Sequence, residues 1–447
     1  MYPYANRDKF YYDVKDERII IEIPYISGVE EITPENPLLL TNEDLYDDGY
    51  EIQESLMDSQ SFSFQNAIST YVKLRTTYTE HAICGCWVNI YKIIDYDIEN
   101  PIPIGKFYAD DDASYISNDG KVQELIMYDC LDYIINADPK AVTEIYNELS
   151  FPVSVKNLRD YMFYNFGLGF VEQTLINDDI LLPKQISDEE LISGSDLVKF
   201  LAELNGVFPH CNKDGDLEWI KLDTGNIHET GLYPGFYPGP NTYPGTKYTG
   251  TYVDVYRNQF KSSSTVYANY KTLKPDGIQI RNENNDTVYF LNEGDSKNPY
   301  TIINNFLFYG LSQGQYETIA RRLYNQIKDI EYVPFQMTKM ADPCLEVGDR
   351  VSVHTEEGFE FVSYIFTKHT KGVIAAFDDI QTSGTYALPQ FDKNTNTTQA
   401  KLKNLDQRVG NVERSGSGAL QIMSVAELPA NPQLNVLYLI QGTVQEM

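Results

Sequence analysis

A chain of 447 residues, 42% of them hydrophobic, is long enough for about two to four domains with folded cores. Its 35 Lys and Arg against 65 Asp and Glu give a net charge of -30, dispersed among aromatic residues, which argues against disorder and against gripping nucleic-acid phosphates. The start of the chain has no basic segment followed by an apolar run, and the apolar stretches fall short of a membrane span, so neither a signal peptide nor membrane insertion is expected.

Five cysteines without framework spacing suit a reduced chain made in the cytoplasm better than a disulfide scaffold. Thirty-five tyrosines fit half-buried strands and subunit interfaces.

Residues 1–150 read as a first β-rich domain, with a strand over 17–26, stretches in a polar setting over 50–56 and 61–67, paired strands over 70–77 and 84–94, and a hairpin from 104–109 to 123–129. A short helix over 130–137 ends before Asp138-Pro139, read here as a breaker. Residues 151–230 read as an α/β insert. A helix over 154–166 comes first, and a second follows Ser195 as N-cap, with Leu197, Leu201 and Leu204 on one face. Asn205-Gly206 stops it, and a hairpin follows over 207–211 and 217–222, turning at NKDGD.

Residues 231–385 read as a second β-rich domain. LYPG, FYPG and TYPG lie at its start, where each proline removes a strand donor, so this stretch reads as a connector. Strands are expected over 253–256, 265–273, 277–281 and 286–291, then a helix over 316–330 with Ile319, Leu323 and Ile327 on one face. A meander follows over 350–354, 359–368 and 373–377, turning at 355–358 and 369–372, and Gly348 lies where the chain bends into it. Residues 386–415 are a polar linker with a short seam, Leu402, Leu405, Val409 and Val412, and residues 416–447 form a small terminal module.

Four blocks, in order, resemble the hub domains of tail-associated (Tal-type) proteins, the phage minor structural proteins of phages and prophages of Gram-positive bacteria. The first runs from LTNEDL through SFSFQNAISTYVKLR, WVNIYKI and PIPIGKFYADD to IMYDCLDYIINAD. GSDLVKFLAELNGVFPHCNKDGDLEWIKL is the second, the Tyr-Pro-Gly repeats the third, and DPCLEVGD with its meander the fourth. The resemblance covers about residues 10–385 and implies an α+β, mainly β chain with two tail-tube-like β-barrel hub domains.

It also implies a homotrimer in the virion at the distal tail tip, adapting the sixfold tube to a threefold tip. The partners implied are the distal tail protein, tail tube proteins, the tape-measure protein and receptor-binding proteins. DNA would pass through the channel without specific binding. The seam Leu402, Leu405, Val409 and Val412 would close at the trimer axis.

No HExxH, P-loop or GxSxG motif occurs. His81, Cys84 and Cys86 lack a fourth ligand at sensible spacing and read as strand and core residues. Asp110, Asp111 and Asp112, like Asp214, Gly215 and Asp216, lack the glycine and glutamate of a calcium loop and read as solvated turns. Met127 and Tyr128 read as core or interface residues.

His210 and Cys211 are neighbours on one strand, so they point to opposite faces and cannot form a relay. No catalytic residue, metal or cofactor is therefore expected. Tal-type relatives often carry a cell-wall hydrolase beyond the hub, for which the residues after Ile380 are expected to be too few. The alternatives are such a peptidoglycan hydrolase, or a receptor-binding tail-tip protein using the terminal module.

Overall fold

The computed structural model describes residues 17–57, 62–94, 97–183, 191–224, 253–255, 266–268, 271–282, 287–292, 298–354, 360–373, 376–382, 421–425 and 436–440. The chain divides into two units, Met1–Leu388 and Pro389–Met447.

The described part of the first unit opens with β1 (Glu17–Ile23), β2 (Leu38–Thr41), β3 (Glu51–Ser55), β4 (Tyr71–Thr76), β5 (Cys86–Ile94), β6 (Ile102–Ala109), β7 (Tyr115–Ile116) and β8 (Gln123–Tyr128). Ile19, Ile21, Val72, Leu74, Val88, Ile90, Leu125 and Met127 share one buried core, the period of two that a half-buried sheet requires. Residues 62–67 form no strand. Phe62 and Phe64 pack instead against Phe208, ring centroids 6.2 and 4.9 Å away, and aromatic burial outweighs local strand preference.

The insert holds α1 (Leu131–Ile135), α2 (Pro139–Asn147), β9 (Val153–Ser154), α3 (Val155–Asn165), β10 (Leu181–Leu182), α4 (Gly194–Asn205), β11 (Phe208–Cys211) and β12 (Leu217–Ile220). Asp138-Pro139 starts a helix where the sequence suggested a break. Asp138 caps α2 by accepting from Lys140 N, and proline in the first turn forfeits only a donor that would have no helical partner. The cap of α4 is Ser193, accepting from Asp196 N at 3.0 Å, not Ser195. Gly194 then passes so close to α1 that an added Cβ would lie 1.8 Å from Ile134 O, which fixes where the helix begins. Gly206 ends α4 in the left-handed region, φ 61°, as its sequence predicts.

The remaining elements are β13 (Val253–Val255), β14 (Val266–Tyr267), β15 (Gly277–Asn282), β16 (Thr287–Asn292), β17 (Pro299–Ile303), α5 (Gln313–Ile327), β18 (Phe335–Met340), β19 (Arg350–His354), β20 (Glu360–Tyr364), β21 (Thr367–Lys371) and β22 (Phe377–Gln381). α5 buries Ile319, Leu323 and Ile327 as expected, and its Ser312–Gln315 capping box sets its start. Gln326 Nε2 donates to Asn205 O and Gly206 O, both at 2.7 Å, binding α5 to the end of α4.

The strand expected over 359–368 is two strands in two sheets. β20 pairs with β19, which pairs with β13, whereas β21 pairs with β22 and β3. Tyr364, Ile365 and Phe366 are all buried, so the strict alternation breaks there and the chain changes sheets. His369 is consequently mid-strand, opposite Gln53, and not in a turn. The next strand falls at 377–381 and not at 373–377.

Among the described residues the main sheet has twelve strands in the order β14-β18-β22-β21-β3-β4-β8-β6-β5-β1-β2, with β7 beside β8. The fold is α+β and mainly β, and among the described residues the sheet is open, with no closed barrel. β3 and β21, which would otherwise be closing edges of separate sheets, pair with each other. A second core under the helices joins Leu131, Leu158, Leu197, Leu201, Phe208, Ile319, Leu323 and Phe366. No described helix is long and apolar enough to cross a membrane.

The second unit contains β23 (Gln421–Val425) paired in parallel with β24 (Val436–Ile440). Leu402, Leu405, Val409 and Val412, like the Tyr-Pro-Gly repeats, lie outside the described residues.

Candidate functional site: a buried ionic junction

The most concentrated chemistry of the first unit lies where β3, the β11–β12 hairpin, β21, β22 and the 342–349 loop meet. Glu54 of β3 is the direct cross-strand partner of Lys368 of β21, with Lys368 Nζ 3.7 Å from Glu54 Oε2. Lys368 Nζ also donates to Leu345 O at 2.8 Å. From the hairpin, His210 Nδ1 lies 3.2 Å from Oε1 of its cross-strand partner Glu218. Its Nε2 faces Glu54 Oε1 at 3.9 Å, an ion-pair separation too long for a hydrogen bond, and this buried nitrogen makes none.

The turn after β11 delivers Lys213, which donates to Pro343 O and pairs with Glu346 at 3.7 Å. Its shape comes from Asn212, whose Oδ1 accepts from Asp214 N and Asp216 N at 3.0 and 2.9 Å, with Gly215 at φ 85°. On β22, Asp378 accepts from Thr370 Oγ1 at 2.7 Å and from Asp342 N at 2.9 Å. Lys92 of β5 pairs with Glu17 of β1 at the neighbouring end of the sheet.

Burial alone would keep Glu54 protonated, but the Lys368 and His210 charges outweigh it and hold the carboxyl at about 2. Burial alone would likewise discharge His210, yet the Glu218 and Glu54 carboxylates push the imidazole up to about 10. Lys368 is raised because Asp378 and Glu54 outweigh its burial, whereas burial dominates at Lys213 and lowers it. Each of these buried charges is thus held by an opposite one beside it.

The junction encloses a cavity of about 30 Å³ lined by Tyr50, Glu54, Lys92, Lys213, Lys368 and Asp378, among others. That is room for one or two waters, against the several hundred Å³ of a typical small-molecule pocket. Among the described residues no cluster of His, Cys, Asp or Glu is arranged to hold a metal ion. What this arrangement does chemically is hold chain segments together.

The residues singled out from the sequence are dispersed. His81 pairs with Glu31 at 3.5 Å, Cys86 is buried in the β-sheet core, and Cys84 is free. Asp110 closes a local turn by accepting from Asp112 N and Ala113 N. Met127 is in the core, while Tyr128 lies on the other sheet face, 5.9 Å from Tyr71. His210 and Cys211 do part company: His210 meets the carboxylates, and Cys211 is covalently bonded to Cys130.

That link is one covalent tie in a chain whose Cys84, Cys86 and Cys344 are free. Folding brings together two cysteines 81 residues apart, which sequence spacing does not reveal. Glu54, Glu218 and Lys368 were likewise missed as site residues. Glu54 gave a local signal, a charge on the face of β3 that also carries buried Ile52, whereas Glu218 lies on the half-exposed face of β12 and gave none.

No family model matches the chain, and no curated protein matches it. Solved structures similar to it include the 43 kDa tail protein of prophage MuSo2 from Shewanella oneidensis, at 13% identity and TM-score 0.46, covering 82% of this chain and 98% of that one. A tail protein from Neisseria meningitidis MC58 has 9% identity and TM-score 0.45, covering 83% and 98%. The prophage tail protein gp18 from Listeria monocytogenes EGD-e has 10% identity and TM-score 0.44, covering 88% and 99%. Likeness of this degree fixes neither fold nor role.

Proposed function

We propose that this chain is a structural protein of a phage tail or phage-tail-like particle, the hub at its distal tip, without a catalytic site of its own. One observation carries the reading: three of the four sequence blocks that resemble Tal-type hubs supply the junction. The first surrounds β3 and Glu54, the helix-plus-hairpin block brings His210, Lys213 and Glu218, and the DPCLEVGD block with its meander brings Asp342, Glu346 and Lys368. Fixed, mutually neutralising charges around a cavity of one or two waters suit a part that must keep its shape.

In this reading three copies alternate their two β-rich regions about one axis, adapting a sixfold tube to a threefold tip. The distal tail protein, tube proteins and tape-measure protein are its neighbours, and DNA crosses the channel unbound. The seam Leu402, Leu405, Val409 and Val412 closes only when the ring holds the chains together, because so short a helix is marginal alone. Particle-mass measurement and cryo-EM averaging of the purified chain test the reading. The expected species has about three times the 51.1 kDa chain mass and threefold symmetry. A stable monomer at micromolar concentration overturns it.

A further inference from the structure

The Cys130–Cys211 link joins two positions that are each fixed by other means. Cys130 is the N-cap residue of α1. Asp129 beside it accepts from Thr70 N, Ser69 Oγ and Leu131 N at 2.7, 2.9 and 3.0 Å. Cys211 ends β11 opposite Leu217 in the hairpin ladder, next to His210 in its ion pairs. Both cysteines are buried, at 3% and 7% exposure, and both belong to the core under the helices. Each of the two positions thus has anchors other than the bond, hydrogen bonds on one side and the hairpin ladder on the other. The bond then closes α1, α2, α3 and α4 into a covalent loop whose ends are anchored at β8 and β11.

We propose that Cys130 and Cys211 are a post-folding redox pair: the chain folds with both thiols reduced, and a low-molecular-weight disulfide then closes the link and locks the insert. One cysteine thiolate attacks a sulfur of the small disulfide, giving a mixed disulfide and one released thiolate. The second cysteine thiolate attacks the protein sulfur of that mixed disulfide, forming the Cys130–Cys211 bond and releasing the second small thiolate. The two protons lost by the cysteines end on the two released small thiols, so two protein thiols are oxidised and one small disulfide is reduced. The chain's three other cysteines lie elsewhere and are free: Cys84 is half-buried, Cys86 is in the core of the main sheet, and Cys344 is in a separate small core with Ile94 and Ile102. Burial also means that both closing and reducing the link take place only when the insert opens locally.

The test uses the full chain, purified reduced, then incubated with oxidised glutathione and peptide-mapped after alkylation of the remaining thiols. The expected result is a linked Cys130–Cys211 peptide, formed with no change in circular dichroism, and a Tm raised by several degrees. Dithiothreitol should reduce the native link at least about tenfold more slowly than the denatured one. Cys211→Ser should keep the fold and lose the glutathione-dependent rise. A folded reduced chain that never yields the linked peptide, a reduced chain that cannot fold, or a Tm rise that persists in Cys211→Ser each overturns the proposal.

Discussion

Glu54 and Lys368 stand directly opposite each other on β3 and β21, their charged atoms 3.7 Å apart, and so join strands from the two β-rich stretches of the first unit. Both are largely shielded from solvent, with side-chain exposures of 16% and 6%. Removing one partner leaves a buried charge poorly compensated, and that penalty exceeds any loss of attraction. Lys368→Met should therefore destabilise the first unit by about 3 kcal/mol, read from chemical denaturation. A loss below about 0.5 kcal/mol, the range of an exposed pair, would contradict this account.

The junction also sets a pH profile. His210 is raised from 6.5 to about 10, so its contribution is full below pH 6.5 and is lost as pH rises through 10. Glu54 is lowered from 4.5 to about 2, so its contribution is full above pH 4.5 and is lost as pH falls through 2. Stability should peak in the intervening acidic window and decline toward pH 10. His210→Gln should flatten the alkaline decline, as followed by Tm across buffers, and an unchanged alkaline slope in that variant would refute the assignment.

Two glycines mark places where the backbone leaves no choice. Gly348 has φ 88°, and an added Cβ would lie 2.6 Å from Ile220 Cγ2, so Gly348→Ala should cost about 2 kcal/mol. At Gly194 the obstacle is the backbone oxygen of Ile134, which cannot rotate away, so Gly194→Ala should cost about 3 kcal/mol. Paired thermal melts check the order. Gly120→Ala is a useful reference, being strained at φ 69° but open, with nothing within 4 Å.

If duplex DNA crosses this protein in a tail, it has to slide, and clustered Lys and Arg along its path would hold it by counterion release. With a net charge of -30, we expect carboxylates to outnumber Lys and Arg at the channel wall. A gel-shift titration at physiological salt should show no complex up to about 10 μM chain, whereas phosphate-gripping proteins bind nonspecifically at about that level. Tight binding would sink the acidic-wall idea while leaving the trimer measurement untouched.

The sequence by itself determined the local elements whose signals are contained in a few neighbouring residues. Alternation in β1, β4, β5 and β8, the i, i+4, i+7 leucines of α4, the αL stop at Gly206 and the bend at Gly348 all follow from short-range periodicity and backbone sterics. It also placed His210 and Cys211 on opposite faces, because that is a property of any strand. Only the tertiary structure decided that β3 pairs with β21, that Ile365 and Phe366 carry the chain from one sheet to another, and that Cys130 meets Cys211. Each of those depends on which distant surface a residue meets. A charge on the inward face of β3 reads as a flaw in the pattern until Lys368 and His210 are brought beside it to compensate its burial.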